Sequence, residues 1–283
     1  MHSSAIPQPL HRQSGQPTTA GNDALSKVPQ VVLAFWIVKI LATTLGETGG
    51  DALSMTLNLG YAISTVIFLV FFLITLAAQV GSKHYHPVAY WAVVVATTTV
   101  GTTTSDYIDR TLGLGYVKSS IILSCLVLIV LAAWRYSTGA IAVDHITTRK
   151  NEIFYWVTIL VSNTLGTALG DFVATSAGLG FGKGALVFAA LIALVAAAHF
   201  FTRLPGSILF WAAYVLTRPL GATLGDTLTK AHAQGGLNLG RFISSIAIAV
   251  AMVLVIFLSS LRKRPSEVSE SSTRDNSRGL VAG

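Results

Sequence analysis

The sequence predicts an all-α, polytopic membrane protein with eight transmembrane helices, built from four parallel helical-hairpin repeats. Three observations support this fold class: the composition, the number of long apolar runs, and a motif that recurs four times. Of the 283 residues, 52% are hydrophobic and only 11% are charged, whereas a soluble domain carries about 25% charged residues. Because so apolar a chain cannot cover its core with polar surface, a soluble enzyme, a disordered chain and a collagen-like chain are excluded.

Eight apolar runs are long enough to cross the hydrocarbon core of a bilayer as helices. They cover residues 30–56, 61–80, 87–112, 117–137, 151–177, 184–202, 205–231 and 242–262. The odd-numbered runs are interrupted by threonine, glycine and acidic residues, whereas the even-numbered runs are uniformly apolar. The predicted organisation is a disordered polar tail (1–29), a first membrane half with repeats 1 and 2 (30–137), a linker (138–150), a second half with repeats 3 and 4 (151–262) and a polar C-terminal tail (263–283).

Basic residues predict the orientation of the chain. Lys and Arg between the runs are more frequent on the side that holds both termini, which places the termini in the cytoplasm. Arg110, Lys230 and Arg241 are assigned to loops on the opposite side. The net charge of +7 is therefore interpreted as an orientation signal, and no nucleic-acid partner is expected. The single cysteine, Cys125, excludes an intramolecular disulfide and a thiolate zinc site.

A motif of glycine, four variable residues and aspartate recurs in the odd-numbered runs. It reads GETGGD, GTTTSD, GTALGD and GATLGD, and its aspartates are Asp51, Asp106, Asp171 and Asp226. An aromatic residue and a tryptophan precede each aspartate at a constant distance, and a glycine follows the first three at a constant distance; in the fourth copy it is displaced by five residues. Because each repeat holds an even number of runs, all four copies point the same way and their equivalent residues converge on a central axis.

Each motif predicts a polar stripe, because residues four and eight positions apart share one face of a helix. The predicted cation-binding or proton-coupling residues are the carboxylates Glu47, Asp51, Asp106, Asp171 and Asp226. The predicted supporting residues are Thr43, Thr98, Thr102, Asn163 and Thr167, with Lys39 and Arg218 as counter-charges. These carboxylates outnumber their counter-charges, so either some are protonated or a cation binds among them.

The ligand types narrow the choice of cation. Carboxylate, hydroxyl and amide oxygens suit Mn²⁺, Mg²⁺, Ca²⁺ or protons better than Cu⁺. No cofactor is expected beyond a transported divalent cation, for which Mn²⁺ is favoured. A structural alternative is that the aspartates bind backbone amides at the following turns. The small residues spaced four apart predict close helix packing, and the aromatic pairs are interpreted as anchors at the membrane interface.

The sequence resembles a bacterial family of uncharacterised, repeat-containing integral membrane proteins, sometimes labelled membrane-anchored proteins. The resemblance is carried by the stretch that starts at Lys27, KVPQVVLAFWIVKILATTLGETGGD, and by the three further copies of its glycine–aspartate motif. The resemblance covers residues 27–262 and implies a link to metal export, specifically of manganese. The fourth copy departs from the pattern because Arg218 and Pro219 replace the Thr-Thr or Asn-Thr pair. This departure breaks strict four-fold equivalence.

The functional hypothesis is a proton-coupled transporter that exports a hard divalent cation, located in the bacterial inner membrane. Its expected partners are the lipid bilayer and a metal ion or protons, while the oligomeric state stays open. Two alternatives are a cation or proton channel with an aspartate ring and a non-transporting scaffold or regulator. An enzyme is not expected, because the sequence has no HExxH or GxSxG motif and no suitably spaced nucleophile and base.

Overall fold

The computed structural model describes residues 29, 31–82, 85–141, 146 and 148–261. Within these ranges the chain forms eight long helices and no strand, so the predicted all-α class is confirmed. The helices are α1 (Leu33–Asp51), α2 (Gly60–Gly81), α3 (Pro87–Asp106), α4 (Tyr116–Thr138), α5 (Arg149–Asp171), α6 (Phe181–Phe201), α7 (Gly206–Thr229) and α8 (Arg241–Leu261). Apart from residue 29, the two tails predicted for 1–29 and 263–283 lie outside the described residues.

Six of the eight helices are long and apolar enough to cross a membrane: α2, α4, α5, α6, α7 and α8. The other two are less apolar for reasons visible in the sequence. Helix α1 carries Lys39, Glu47 and Asp51, and α3 is rich in threonine. The apolar helices are consistent with a multi-pass membrane protein, whereas the number of eight transmembrane helices stays a prediction.

Four inner helices form a closed ring. Helices α1, α3, α5 and α7 pack in that order, and α7 packs against α1. The outer helices pack outside this ring, and each packs mainly against the inner helix of the following repeat: α2 on α3, α4 on α5, α6 on α7 and α8 on α1. The last helix of the described residues, α8, therefore packs on the inner helix of the first repeat. The polar stripes of the inner helices meet inside the ring.

Glycine allows the inner helices to approach closely. The first glycine of each motif faces the neighbouring repeat's residue that lies eight positions before its aspartate: Gly46 faces Thr98, Gly101 faces Asn163, Gly166 faces Arg218 and Gly221 faces Thr43. A Cβ atom at Gly221 would lie 2.1 Å from the Thr43 Oγ1 atom and 2.8 Å from its backbone carbonyl carbon. Since Gly50 meets Thr102 one turn further along, neighbouring inner helices run parallel.

The ends of the inner helices distinguish the fourth repeat. Helices α1, α3 and α5 continue directly into π-helical turns at Ala52–Thr56, Tyr107–Thr111 and Phe172–Ser176. Helix α7 instead ends at Thr229, and the chain folds back over its end. The Leu237 amide donates to the Thr227 carbonyl at 2.7 Å, and the Asn238 amide donates to the Lys230 carbonyl at 3.0 Å. The five-residue displacement in the sequence therefore corresponds to a loop in place of a π-helical turn.

Aromatic residues fill the other end of the ring, so their interpretation as interface anchors is wrong. Each aromatic residue contacts the tryptophan of the following repeat, with ring centroids 5.7 to 6.0 Å apart; the pairs are Phe35–Trp91, Tyr90–Trp156, Tyr155–Trp211 and Phe210–Trp36. The Tyr90 and Tyr155 hydroxyls also form a 2.6 Å hydrogen bond. These aromatic side chains are mostly buried because they point into the space between the four inner helices rather than away from it.

Candidate functional site

The inward-facing residues form five layers, each with one residue from every repeat. Along the inner helices they are the aromatic layer (Phe35, Tyr90, Tyr155, Phe210), the lysine layer (Lys39, Val94, Ile159, Tyr214), the arginine layer (Thr43, Thr98, Asn163, Arg218), the glutamate layer (Glu47, Thr102, Thr167, Ala222) and the aspartate layer (Asp51, Asp106, Asp171, Asp226). Consecutive layers are four residues apart, or about 6 Å along the helix axis. Every residue of the last four layers is buried.

A basic residue from repeat 2 bridges two aspartates. The Arg110 Nε atom lies 3.1 Å from Asp106 Oδ1, and its Nη2 atom lies 3.1 Å from Asp171 Oδ2 in the next repeat. Two tyrosines orient the guanidinium, which donates to the Tyr116 hydroxyl at 2.8 Å and to the Tyr61 hydroxyl at 2.9 Å. One cation thus holds together the aspartates of repeats 2 and 3.

A lysine from repeat 4 makes the equivalent bridge on the opposite side. The Lys230 ammonium lies 3.1 Å from Asp226 Oδ1 and 3.0 Å from Asp51 Oδ2 in repeat 1. Arg241 approaches the same oxygen of Asp51 at 3.5 Å. The aspartate layer is therefore two pairs, each bridged by one cation, and the four-fold pattern of the motif becomes a two-fold pattern of charge.

Glu47 and Arg218 form a second polar centre one layer away. The guanidinium donates to Glu47 Oε2 at 3.1 and 3.2 Å and to the Thr167 hydroxyl at 2.7 Å. It also donates to the Thr102 hydroxyl, which itself donates to Glu47 Oε2 at 3.2 Å. Because Arg218 is fully buried, this pairing offsets the cost of keeping both charges out of water.

Three carboxylates lie close enough to share one ion. One oxygen each from Glu47, Asp51 and Asp226 can be chosen so that all three atoms lie within 4.8 Å of one another. All three residues are buried, and they come from α1 and α7, which pack side by side. A set of carboxylate oxygens suits a hard cation. In the structure, Lys230 and Arg218 supply the positive charge next to this triad.

The ring brings only part of the predicted site together. Asp106 and Asp171 share Arg110 and lie outside the triad. Thr102 and Thr167 accept hydrogen bonds from the guanidinium of Arg218. The remaining supporting residues join helices instead: the hydroxyl of Thr43 donates to the Thr217 carbonyl at 3.2 Å, that of Thr98 to the Ala42 carbonyl at 3.2 Å, and the amide of Asn163 to the Thr97 hydroxyl at 3.0 Å.

Sequence reasoning missed the two bridging cations. It assigned Arg110 and Lys230 to loops, but the structure places both beside the aspartates. A signal was present, since each residue follows its aspartate by four positions and therefore shares its helix face. In repeats 1 and 3 the same position is occupied by Met55 and Thr175. Because the basic residue occurs in only two of the four repeats, a search for residues shared by all four copies does not find it.

The arrangement can hold a cation against buried carboxylates and can exchange one positive charge for another. The four aspartates have basic side chains as partners, and the Oδ1 atoms of Asp106 and Asp226 are held by ion pairs of 3.1 Å. The Oδ1 atom of Asp51 makes neither a hydrogen bond nor an ion pair within the described residues. Oxygens with spare lone pairs are available to an incoming ligand. This chemistry needs neither a nucleophile nor a general base.

Comparison with known proteins gives a family but no activity. No curated protein and no solved structure matches the chain. One family model, described as Repeat of Unknown Function (DUF347), matches four segments, at residues 34–85, 89–140, 154–204 and 209–265. These segments coincide with the four inner and outer helix pairs and cover most of the chain. The chain therefore belongs to the DUF347 family of uncharacterised repeat proteins.

Proposed function

We propose that this protein is a multi-pass transporter that exports a hard divalent cation, Mn²⁺ above others, through the site of Glu47, Asp51 and Asp226. The observation that carries the proposal is the buried triad, whose carboxylate oxygens lie within 4.8 Å of one another inside a ring of helices. Carboxylates inside a membrane are costly and mark ion pathways in transport proteins. In this proposal all eight helices span the bacterial inner membrane, with both termini in the cytoplasm.

Lys230 acts in this proposal as a tethered substitute for the metal ion. Its ammonium lies between Asp51 and Asp226, at 3.0 and 3.1 Å, where a cation would bind. An incoming divalent ion displaces it and gains two carboxylates, while release of the ion allows the ammonium to return. The empty carrier therefore never exposes unpaired carboxylates to the bilayer.

The aromatic layer favours a carrier over a channel. It lies about 24 Å from the aspartate layer along the inner helices. Its mostly buried aromatic side chains fill the space between these helices. A channel that is open in this conformation would need a path through this level, which the packed aromatic side chains fill. We expect the two ends of the ring to open in turn.

The proposal is tested by Mn²⁺ flux in proteoliposomes. Glu47→Gln and Asp226→Asn should each lower flux by at least about tenfold, since each removes one of three ligand charges. Asp109→Asn is the matched control. Asp109 is a buried carboxylate in the π-helical turn of repeat 2, where it accepts a hydrogen bond from the Ser105 hydroxyl at 3.2 Å and lies outside the triad. Flux that is equal in wild type and both triad variants would refute the proposal.

A non-transporting scaffold is the second candidate, because every aspartate has a basic partner and the glycines pack helices tightly. The variant Lys230→Met distinguishes the scaffold from the transporter. In a transporter the variant leaves Asp51 and Asp226 without their shared cation, so Mn²⁺ should bind about tenfold more tightly and raise the melting temperature. In a scaffold the variant is destabilised and Mn²⁺ does not restore its stability. Lys183→Met, at an exposed lysine of α6, is the control.

A further inference from the structure

Lys39 is a buried basic residue that the cation site does not use. It lies on α1 with none of its surface exposed. Its Nζ atom lies 4.1 Å from the centre of the Tyr214 ring and has no hydrogen-bond partner among the described residues. The other two members of its layer, Val94 and Ile159, are apolar. A buried ammonium normally has an acceptor or a counter-ion, so this environment requires a functional explanation.

The charged and titratable groups around Lys39 are few. Helix α7 contributes Tyr214 and Arg218, and α1 itself contributes Glu47, two layers or about 12 Å away. Helices α3 and α5 contribute Val94 and Ile159 to the lysine layer and the hydrogen-bonded pair Tyr90–Tyr155 to the aromatic layer. The part of α8 beyond Arg241 has no ionisable side chain. Arg218 is therefore the charge that lies between Lys39 and the triad.

Both protonation states of Lys39 fit this environment. The Tyr214 ring can hold an ammonium by a cation–π contact, and the apolar side chains accept a neutral amine, which needs no counter-ion. We propose that Lys39 takes up and releases a proton, and that Arg218 couples this exchange to the cation at Glu47. The coupling rests on the proposed transport function, whereas the proton exchange itself does not.

The coupling step follows from the Glu47–Arg218 pair. When a divalent cation binds Glu47, the carboxylate no longer balances the guanidinium, and the positive charge of Arg218 acts on Lys39 unopposed. Like-charge repulsion in a medium of low dielectric constant then favours the amine. The balance is –NH₃⁺ → –NH₂ + H⁺, with the proton released to water. When the cation leaves, Arg218 pairs with Glu47 again and Lys39 regains its proton, so each transported cation is exchanged for one proton at this residue.

The first test needs no metal. The melting temperature of the detergent-solubilised protein is measured between about pH 5 and pH 9, where a lysine in water does not titrate. Lys39→Met fixes a neutral side chain and Lys39→Arg fixes a positive one. If Lys39 exchanges a proton, the wild-type unfolding equilibrium departs from that of each variant by up to about tenfold per pH unit within this range. Parallel curves for wild type and both variants would overturn the inference, whatever the protein transports. Lys183→Met should parallel wild type.

The second test measures coupling in proteoliposomes that contain a pH-sensitive dye. With an imposed Mn²⁺ gradient, wild type should move protons against the metal, whereas Lys39→Met should keep its Mn²⁺ flux and lose at least about tenfold of the coupled proton movement. Equal proton movement in both proteins would overturn the coupling. Absence of Mn²⁺ flux in wild type, together with diverging stability curves, would refute the transport function and leave the proton exchange standing.

Discussion

Arg218 is the residue that connects all four repeats. It lies in repeat 4 and binds Glu47 in repeat 1, Thr102 in repeat 2 and Thr167 in repeat 3. A planar guanidinium with five donors can make these contacts at once, whereas a lysine presents a single ammonium. The residue that breaks the four-fold sequence pattern therefore provides the contacts at the centre of the ring.

Loss of Arg218 should be more harmful than loss of the whole ion pair. Arg218→Met leaves the Glu47 carboxylate buried and unpaired, which should lower the free energy of unfolding by about 3–5 kcal/mol. Adding Glu47→Gln removes the unpaired charge and should recover at least about half of that loss. Denaturation of both variants in detergent measures the difference. A double variant that is less stable than Arg218→Met would contradict the ion pair.

The polar stripe was predictable at the residue scale because four copies of one motif give the same register. Glu47, Arg218 and the four aspartates all lie inside the ring, as helix periodicity indicated. The pairing between them was not predictable, since it depends on which helices are neighbours. Only the order of helices around the ring places Glu47 beside Arg218, 171 positions later in the sequence.

At the scale of elements, each outer helix packs on the inner helix of the next repeat. The apolar runs predicted these helices. The limits of α2 to α8 lie close to the predicted ones when the π-helical turns that follow α3 and α5 are included. The sequence does not specify the partner of each outer helix, because a uniformly apolar helix has no face that marks a neighbour. The aromatic residues were misread for a related reason: tryptophan suits both a membrane interface and a packed core.

The hydrogen bond between the Tyr90 and Tyr155 hydroxyls provides a test of the packing between the inner helices α3 and α5. Tyr90→Phe leaves the buried Tyr155 hydroxyl without its partner, which should cost about 1–3 kcal/mol of stability. The double variant Tyr90→Phe, Tyr155→Phe removes both polar groups and should be more stable than the single one. A double-mutant cycle of melting temperatures measures this coupling, and additive effects would contradict the hydrogen bond.

At the scale of the whole molecule, α7 closes the ring of inner helices on α1, and α8 packs against α1 outside this ring. The Ser245 hydroxyl, near the start of α8, donates to the Thr48 hydroxyl, near the end of α1, at 2.8 Å. These two helices therefore run antiparallel. The repeats predicted convergence on an axis, but the packing of α8 on α1 is a contact between the first and last helices of the described residues that no local pattern encodes.

A cross-link tests the contact between α8 and α1. In a Cys125→Ser background, Thr48→Cys with Ser245→Cys should form a disulfide on oxidation, because the two side chains are in contact. After cleavage at a protease site inserted in the 138–150 linker, the two fragments should migrate as one band until they are reduced. Thr48→Cys with Ser259→Cys, about 21 Å further along α8, is the control that should give two bands. Two bands for the first pair would contradict the packing of α8 on α1.

The two bridging cations divide the molecule differently from its connectivity. The segment between α4 and α5 lies between repeats 1 and 2 on one side and repeats 3 and 4 on the other. Arg110, however, joins repeat 2 to repeat 3, and Lys230 joins repeat 4 to repeat 1. Along the sequence, repeat 1 is grouped with repeat 2 and repeat 3 with repeat 4. The ion pairs instead group repeat 2 with repeat 3 and repeat 4 with repeat 1. A rigid-body movement that preserves both bridges must separate repeat 1 from repeat 2 and repeat 3 from repeat 4, inside each half of the sequence rather than between them.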